Sequence, residues 1–346
     1  MKFFLQTFIL LLFYCLNSIS QFVIDANIEF SQKHVNKNYS TEFEKFNSEF
    51  ENKNSFHTIR TQFLGTYKIN TNLDIETKLL FDNGTQKKFF IEGIFAAIYF
   101  SKSINFRVGK IPIPIGNYSK RNFSHKTILF TIPSIYQMQS PINSTKIYYQ
   151  ICDANWLNGI SLIGSYENFN WNFMLAKNSF SNPNSTNLQF ASRIYFPITE
   201  NISFGTSLAN SNYINNKKHK IYAVDIHSDF YYFEIFAEGF LNEYESEKNL
   251  FQNLSYYGEI NYHLNTNISF ALRYDEIKTS SDDNKIFYDN LNIFAKKIEV
   301  GSKIKIDKFI LNFLYQQNFN GNNKFDVYGA KFILRWEDIF SEKIKM

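Results

Sequence analysis

The chain has six arginines in 346 residues. Five of them, Arg60, Arg107, Arg193, Arg273 and Arg335, stand at the polar positions of stretches that alternate apolar and polar residues. Lys78, Lys110 and Lys303 are read on the same polar phase. A guanidinium stays charged at every physiological pH and grips a carboxylate or phosphate through two parallel hydrogen bonds. Cations set along one face therefore suit the passage or capture of anions. Acids share that face: Glu76, Glu92, Asp225, Glu234, Glu238, Glu259, Asp275 and Glu299. A wall of mixed sign fits a general hydrophilic passage. Anion preference is the sharper reading, and mutual ion pairing of inward charges is the plainer one.

Little else is arranged for chemistry. The histidines His34, His57, His125, His219, His227 and His263 form no HxH or HxxxH pair, and Cys152 is isolated. No transition-metal site is expected. No GxSxG, P-loop or GxGxxG is present, so the usual hydrolase and nucleotide-binding signatures are missing. The acidic runs Glu243–Glu247 and Asp282-Asp283 lack the spaced ligands of a calcium loop and read as solvated loop. A lipase on such a scaffold would need a Ser/His pair facing lipid, and no histidine sits on an apolar strand face with an obvious partner. The expectation is no catalytic residue, no metal, no cofactor and no enzymatic activity.

The elements that must position these cations are strands. FVIDANIEFS (22–31), LDIETKLLFD (73–82), ISFALRYD (268–275) and IEVGSKIKI (298–306) each alternate with period two. Sixteen such candidates occur: 22–32, 55–69, 73–83, 88–101, 104–116, 156–167, 169–179, 187–198, 202–212, 220–229, 231–243, 253–264, 268–278, 294–306, 309–319 and 325–336. Short connections such as Asn70-Thr71-Asn72 and Asp307-Lys308 alternate with long polar ones, among them 33–54, 117–155, 244–252 and 279–293. Many candidates run ten to twelve residues, and a tilted strand needs roughly 9–11 to cross a bilayer core. The expected fold is all-β: a transmembrane, up-and-down antiparallel β-barrel of about sixteen strands. Its short turns would face the periplasm and its long loops the outside. Aromatics near strand ends, such as Phe30, Tyr67, Phe81, Tyr99, Phe196, Tyr262, Tyr274 and Trp336, suit the interfacial girdles of such a barrel.

The first residues agree with export. Met1-Lys2, the apolar run Phe3–Leu16 and the small residues Ser18 and Ser20 read as a secretory signal over 1–20. That leaves 21–346 as one barrel domain with one thiol and no internal disulfide. The net charge of +4 is spread along the chain, unlike the concentrated basic surface of a nucleic-acid binder.

In INFRVGKIPIPIG (104–116) the apolar phase slips at Gly109-Lys110. A β-bulge there would turn both Arg107 and Lys110 to the lumen and leave Ile111, Ile113 and Ile115 on lipid. Pro112 and Pro114 lack ladder donors and would release the chain into 117–155, the longest loop. That loop carries Lys120, Arg121 and His125, then the apolar patch Ile128–Phe130 and Ile132. Folding inward to narrow a pore is the favoured reading; an outward cap or subunit contact is the alternative.

FRVGKIPIPIGNYSKRN (106–122) followed by NWLNGISLIGSY (155–166) resembles bacterial outer-membrane porins of the phosphate-selective porin O/P kind. Arg107, Gly109, Lys110, Pro114, Gly116, Gly159 and Gly164 carry the likeness, which covers about sixty residues closely. The resemblance implies a sixteen-strand, usually trimeric pore with a basic constriction. The chain departs from the group in continuing from RWEDIF to Ser341–Met346, and the group's individual constriction residues have no single counterparts here. The resulting expectation is an outer-membrane porin for small hydrophilic solutes or anions, embedded in outer-membrane lipid, forming a homotrimer and binding no nucleic acid. A non-conducting barrel serving as scaffold or secretion-machinery component is the alternative.

Overall fold

The computed structural model describes residues 20–35, 55–82, 89–101, 103–118, 127–129, 133, 136, 139–141, 148–150, 156–177, 188–212, 218–245, 250–279, 296–320, 323–336 and 342–344. Sixteen strands form one barrel. They are β1 Ser20–Val35, β2 Ser55–Asn70, β3 Leu73–Asp82, β4 Phe89–Tyr99, β5 Ile104–Pro112, β6 Trp156–Tyr166, β7 Phe169–Lys177 and β8 Leu188–Pro197. Then come β9 Ile202–Asn212, β10 Lys218–Phe230, β11 Phe233–Glu245, β12 Leu250–His263, β13 Ile268–Thr279, β14 Lys296–Ile306, β15 Phe309–Asn320 and β16 Asn323–Trp336. Each pairs antiparallel with its sequence neighbours, and β16 closes on β1 from Ala26 opposite Trp336 to Val35 opposite Val327. Closure leaves no open edge, so the ladder donors of the wall pair from strand to strand without help from lipid. All sixteen expected strands are present. Glu342–Ile344 also pairs with the start of β1, and Gln139–Pro141 pairs with Tyr148–Gln150 in a small separate ribbon. The expected signal over 1–20 lies outside the described residues except for Ser20, where β1 begins.

Seven tight connections, from Thr71-Asn72 to Asp307-Lys308, gather at one end, while residues 321 and 322 link β15 to β16 at the other. Glu167, Tyr231 and Asp307 each take a left-handed backbone at the first position of a two-residue turn, as the twist of a hairpin requires. Ser101, Thr199 and Asn265 each accept two backbone N–H groups from the following residues, closing the slightly longer turns.

The period-two pattern sorts the side chains. Leu162, Phe173, Val224, Leu272, Val300 and Phe313 are exposed on the outer wall, as a lipid-facing surface demands. Phe30, Phe81, Phe196 and Tyr274 are exposed among them. Tyr99 differs from its expected place in the outer girdle. It faces inward, packs on the buried cluster and donates its hydroxyl to Asp74 at 3.2 Å.

The expected bulge at Gly109-Lys110 is not there. β5 keeps unbroken register with β4, from Lys110 opposite Ile94 to Asn105 opposite Tyr99, and with β6 throughout. The bulge lies one strand earlier, where Lys78 opposes Gly93 but Leu79 opposes Ile91, which leaves Glu92 extra in β4. Arg107 therefore shares the inward phase with Ala97 and Ser161, both buried. Lys110 takes the opposite phase beside exposed Ile94, and its Nζ donates to the Ile91 carbonyl at 2.6 Å. Ile111, Ile113 and Ile115 are buried in the interior cluster instead of facing lipid. The slip in the sequence marks a change in which face is apolar, not a change in backbone register.

Candidate functional site

The interior is crossed by the chain that leaves β5. Gly116 has φ 61°, a left-handed conformation, and a side chain there would collide with the Tyr136 hydroxyl and the Glu238 carboxylate. Its N–H donates to Ser207 Oγ at 3.2 Å. Glu238, on the inner face of β11, is a triple acceptor. It takes the Tyr257 hydroxyl at 2.7 Å, the Asn117 N–H at 3.1 Å and a short hydrogen bond from the Tyr136 hydroxyl. Further along, Asn312 Nδ2 on β15 donates to the carbonyls of Thr127 and Ile128 at 3.3 and 2.7 Å. Ile128 and Leu129 pack on Ala271 and Leu314 of the inner wall. The described parts of this loop thus bind the β9–β12 wall first and the β13–β15 wall second. Lys120, Arg121 and His125 lie outside the described residues.

Seven of the eight expected wall cations stand on the inward phase, and Lys110 does not. Arg273, 1% exposed, is held by Glu259 at 3.4 Å, Asp275 at 3.6 Å and, in a short contact, Glu299. Lys297, which the sequence reading did not single out, joins Asp275 at 2.8 Å and Glu299 at 3.3 Å. Two cations and three carboxylates therefore form one buried network. Arg193 forks onto Asp225 through both terminal nitrogens, at 2.5 and 2.7 Å, the bidentate geometry that guanidinium favours. Gly205 lies beneath this pair, and a Cβ there would stand 2.5 Å from Asp225 Oδ2 and 2.6 Å from Arg193 Nη2. Lys78 pairs with the bulged Glu92 at 2.8 Å and lies 5.7 Å from the Trp156 ring centre. Arg60 opposes Glu29 in the β1–β2 ladder, and Arg335 opposes Asn27. Lys303 opposes Ser269 and Asn312, both buried.

Arg107 is in a different state. Its guanidinium lies 5.1 Å from the Phe95 ring, a cation–π distance. It makes no ion pair or hydrogen bond among the described residues, and its Nε is buried. It lines a cavity of about 550 Å³ together with Asn105, Trp156, Asn172, Arg193 and Tyr195. Ser103, Ser165 and Asn170 also line it, and these flank the tight turns. The cavity therefore occupies the short-turn end of the lumen, and the departing segment Pro112–Gly116 covers its other end.

Structural comparison identifies the architecture. Over 92% of this chain and 100% of the other, the barrel superposes on an anion-selective porin from Comamonas acidovorans with TM-score 0.63 at 11% identity. A loop L8 deletion mutant of OmpT, an outer membrane protein of Vibrio cholerae, matches with TM-score 0.62 at 9% identity, again over 92% of this chain and all of that one. A triple mutant of Rhodopseudomonas blastica porin matches with TM-score 0.58 at 11% identity, over 91% and 100%. No protein-family model and no curated protein matches the sequence. The fold is that of bacterial outer-membrane porin-like barrels. The expectation of no enzymatic activity is corrected by the same finding. OmpT barrels stand beside porins among the neighbours, so this architecture is shared by differently named proteins and non-enzyme status does not follow from it.

Proposed function

We propose that the chain is a passive diffusion channel of the bacterial outer membrane for small hydrophilic solutes, with a preference for anions. The observation that carries this reading is Arg107, an inward guanidinium without a carboxylate partner among the described residues, facing a cavity inside a closed sixteen-strand barrel. Such a charge raises the local anion concentration in a confined aqueous space. On this reading the segment after β5 sets the width of the passage. Lys303 and Arg335 then add positive potential from the wall. The stretch 106–122 supports kinship with the phosphate-selective porin O/P group. A homotrimer is part of the same reading, supported by the trimer form recorded for the Vibrio cholerae OmpT barrel.

The test is purified protein in a planar bilayer under a salt gradient. Discrete current steps with an anion-directed reversal potential are expected, and Arg107→Glu should shift that potential toward cations. An unchanged potential removes Arg107 from the conducting path. A second reading, a non-conducting scaffold barrel, is favoured by tight packing along β13–β16, where Glu299, Asn312, Asn318, Val327 and Ile333 are all fully buried. The absence of current steps would select it.

A further inference from the structure

We propose that the cavity at the short-turn end is a binding site for small monoanionic carboxylates that carry an aromatic ring. This deepens the channel reading, because it names a solute class that would dwell there. The polar half of the site contains Arg107, with its Nε buried and unbonded among the described residues. Asn172 accepts from Ser161 Oγ at 2.6 Å through its Oδ1, which leaves its amide N–H groups as donors. Arg193 contributes less, since Asp225 takes both terminal nitrogens and its Nε is the nitrogen left unbonded among the described residues. One open guanidinium and one amide match a single carboxylate through charge-assisted hydrogen bonds.

The other half of the cavity is apolar. Trp156, Ile113, Pro112 and Tyr195 line it. A hydrated phosphate would surrender water against that surface and gain no donor in return. A ring would gain from the same contact through apolar burial and aromatic packing. At about 550 Å³ the space falls within the range of small-molecule sites, roughly 300–1,000 Å³. Asn105 Oδ1 is buried without a partner among the described residues, so a ring hydroxyl would find an acceptor. Glu76 shares the inward phase of the neighbouring wall with Lys78 and forms no ion pair with Arg107 among the described residues.

The experiment uses the purified full chain in detergent and follows tryptophan fluorescence. Trp156 and Trp171 line the cavity, whereas Trp336 sits at the end of β16, opposite Ala26. Titrants are benzoate, acetate, inorganic phosphate and benzyl alcohol, with bilayer recordings in parallel. Benzoate should give a saturable response at least about tenfold tighter than the other three. Arg107→Gln should weaken it about tenfold or more, the loss of one charge-assisted hydrogen bond. Trp156→Phe should diminish the signal, and Trp156→Phe combined with Trp171→Phe should abolish it. Should Arg107→Gln fail to fold, as judged by circular dichroism, Asn172→Leu tests the same half of the site. Benzoate binding no tighter than acetate overturns the ring requirement and with it the proposal. Phosphate binding as tightly as benzoate overturns it in favour of an inorganic-anion site. Current steps with no benzoate response sink the site and leave the channel reading standing. A benzoate response without current steps sustains the site and removes the channel.

Discussion

Glu238 is the latch whose removal best tests how the interior segment is held. Its carboxylate accepts the hydroxyls of Tyr136 and Tyr257 and the N–H of Asn117. In Glu238→Gln the amide oxygen can keep two of these donors, while the amide nitrogen faces the third. If the oxygen stays toward Tyr257 and Asn117, the Tyr136 hydroxyl must turn its proton away. One buried donor without an acceptor costs about 1–3 kcal/mol. The two surviving bonds lose a charged acceptor and weaken by roughly half. Burying a neutral amide in place of a carboxylate offsets part of this. A net weakening of about 2 kcal/mol multiplies the detached population roughly thirtyfold. Hydrogen exchange read by mass spectrometry on residues 113–118 should accelerate by about that factor, while strand peptides such as 268–279 keep their protection. The contacts of Gly116 with Ser207 and of Asn312 with Thr127 and Ile128 remain, so the barrel itself should stay folded. Unchanged exchange in 113–118, in a variant that folds, would refute the latch.

Three further changes probe the wall. Gly205→Ala puts a methyl against the Arg193–Asp225 fork and should lower the urea midpoint by the equivalent of about 1–3 kcal/mol; an unaltered midpoint would mean that the pair swings aside freely. Arg273→Met takes from Glu259, Asp275 and Glu299 the cation they share and should cost about 3–5 kcal/mol, enough to block refolding into detergent. Pairing it with Glu299→Gln should restore part of the yield, and a single variant as stable as the parent would contradict the network. Asn312→Ala removes both donors to the Thr127 and Ile128 carbonyls; faster exchange at 127–129 without a change at 113–118 is expected, and equal acceleration at both would show a single cooperative unit.

The wall was legible because a barrel strand repeats one simple instruction, alternation over about ten residues, and closure follows from sixteen such strands in a row. Strand phase alone told that Arg193 and Arg273 face the same way as their acids. It could not tell which of two apolar sets meets lipid when a segment fills the lumen. Ile104 and Val108 are exposed outside, whereas Ile111, Ile113 and Ile115 are buried inside. An apolar residue near the loop end thus answers to the interior segment as readily as to lipid. Lys110 was misplaced for the same reason. The true bulge at Glu92-Gly93 left little trace in the sequence, since Gly93 serves there mainly to admit the Trp156 ring, a contact between residues far apart in the chain. The latch on Glu238 was unreadable too, because Tyr136 and Asn117 reach it across more than a hundred residues.

Arg107 and Arg273 look alike in the sequence, one inward arginine each on an alternating strand, yet the fold gives them opposite tasks. Arg273 is surrounded by three carboxylates, so its charge is largely cancelled at short range and little of it is felt in the lumen. Its loss should be seen in folding. Arg107 lies over the Phe95 ring, forms no ion pair among the described residues and has a cavity in front of it, so its charge is available to whatever enters. Its loss should be seen in selectivity and ligand binding, with a small effect on stability. Counting inward arginines therefore overstates the positive potential of this lumen. Subtracting the carboxylates each one already holds gives the better expectation: reversing Arg107 should shift the reversal potential, and neutralising Arg273 together with Glu299 should leave it nearly where it was.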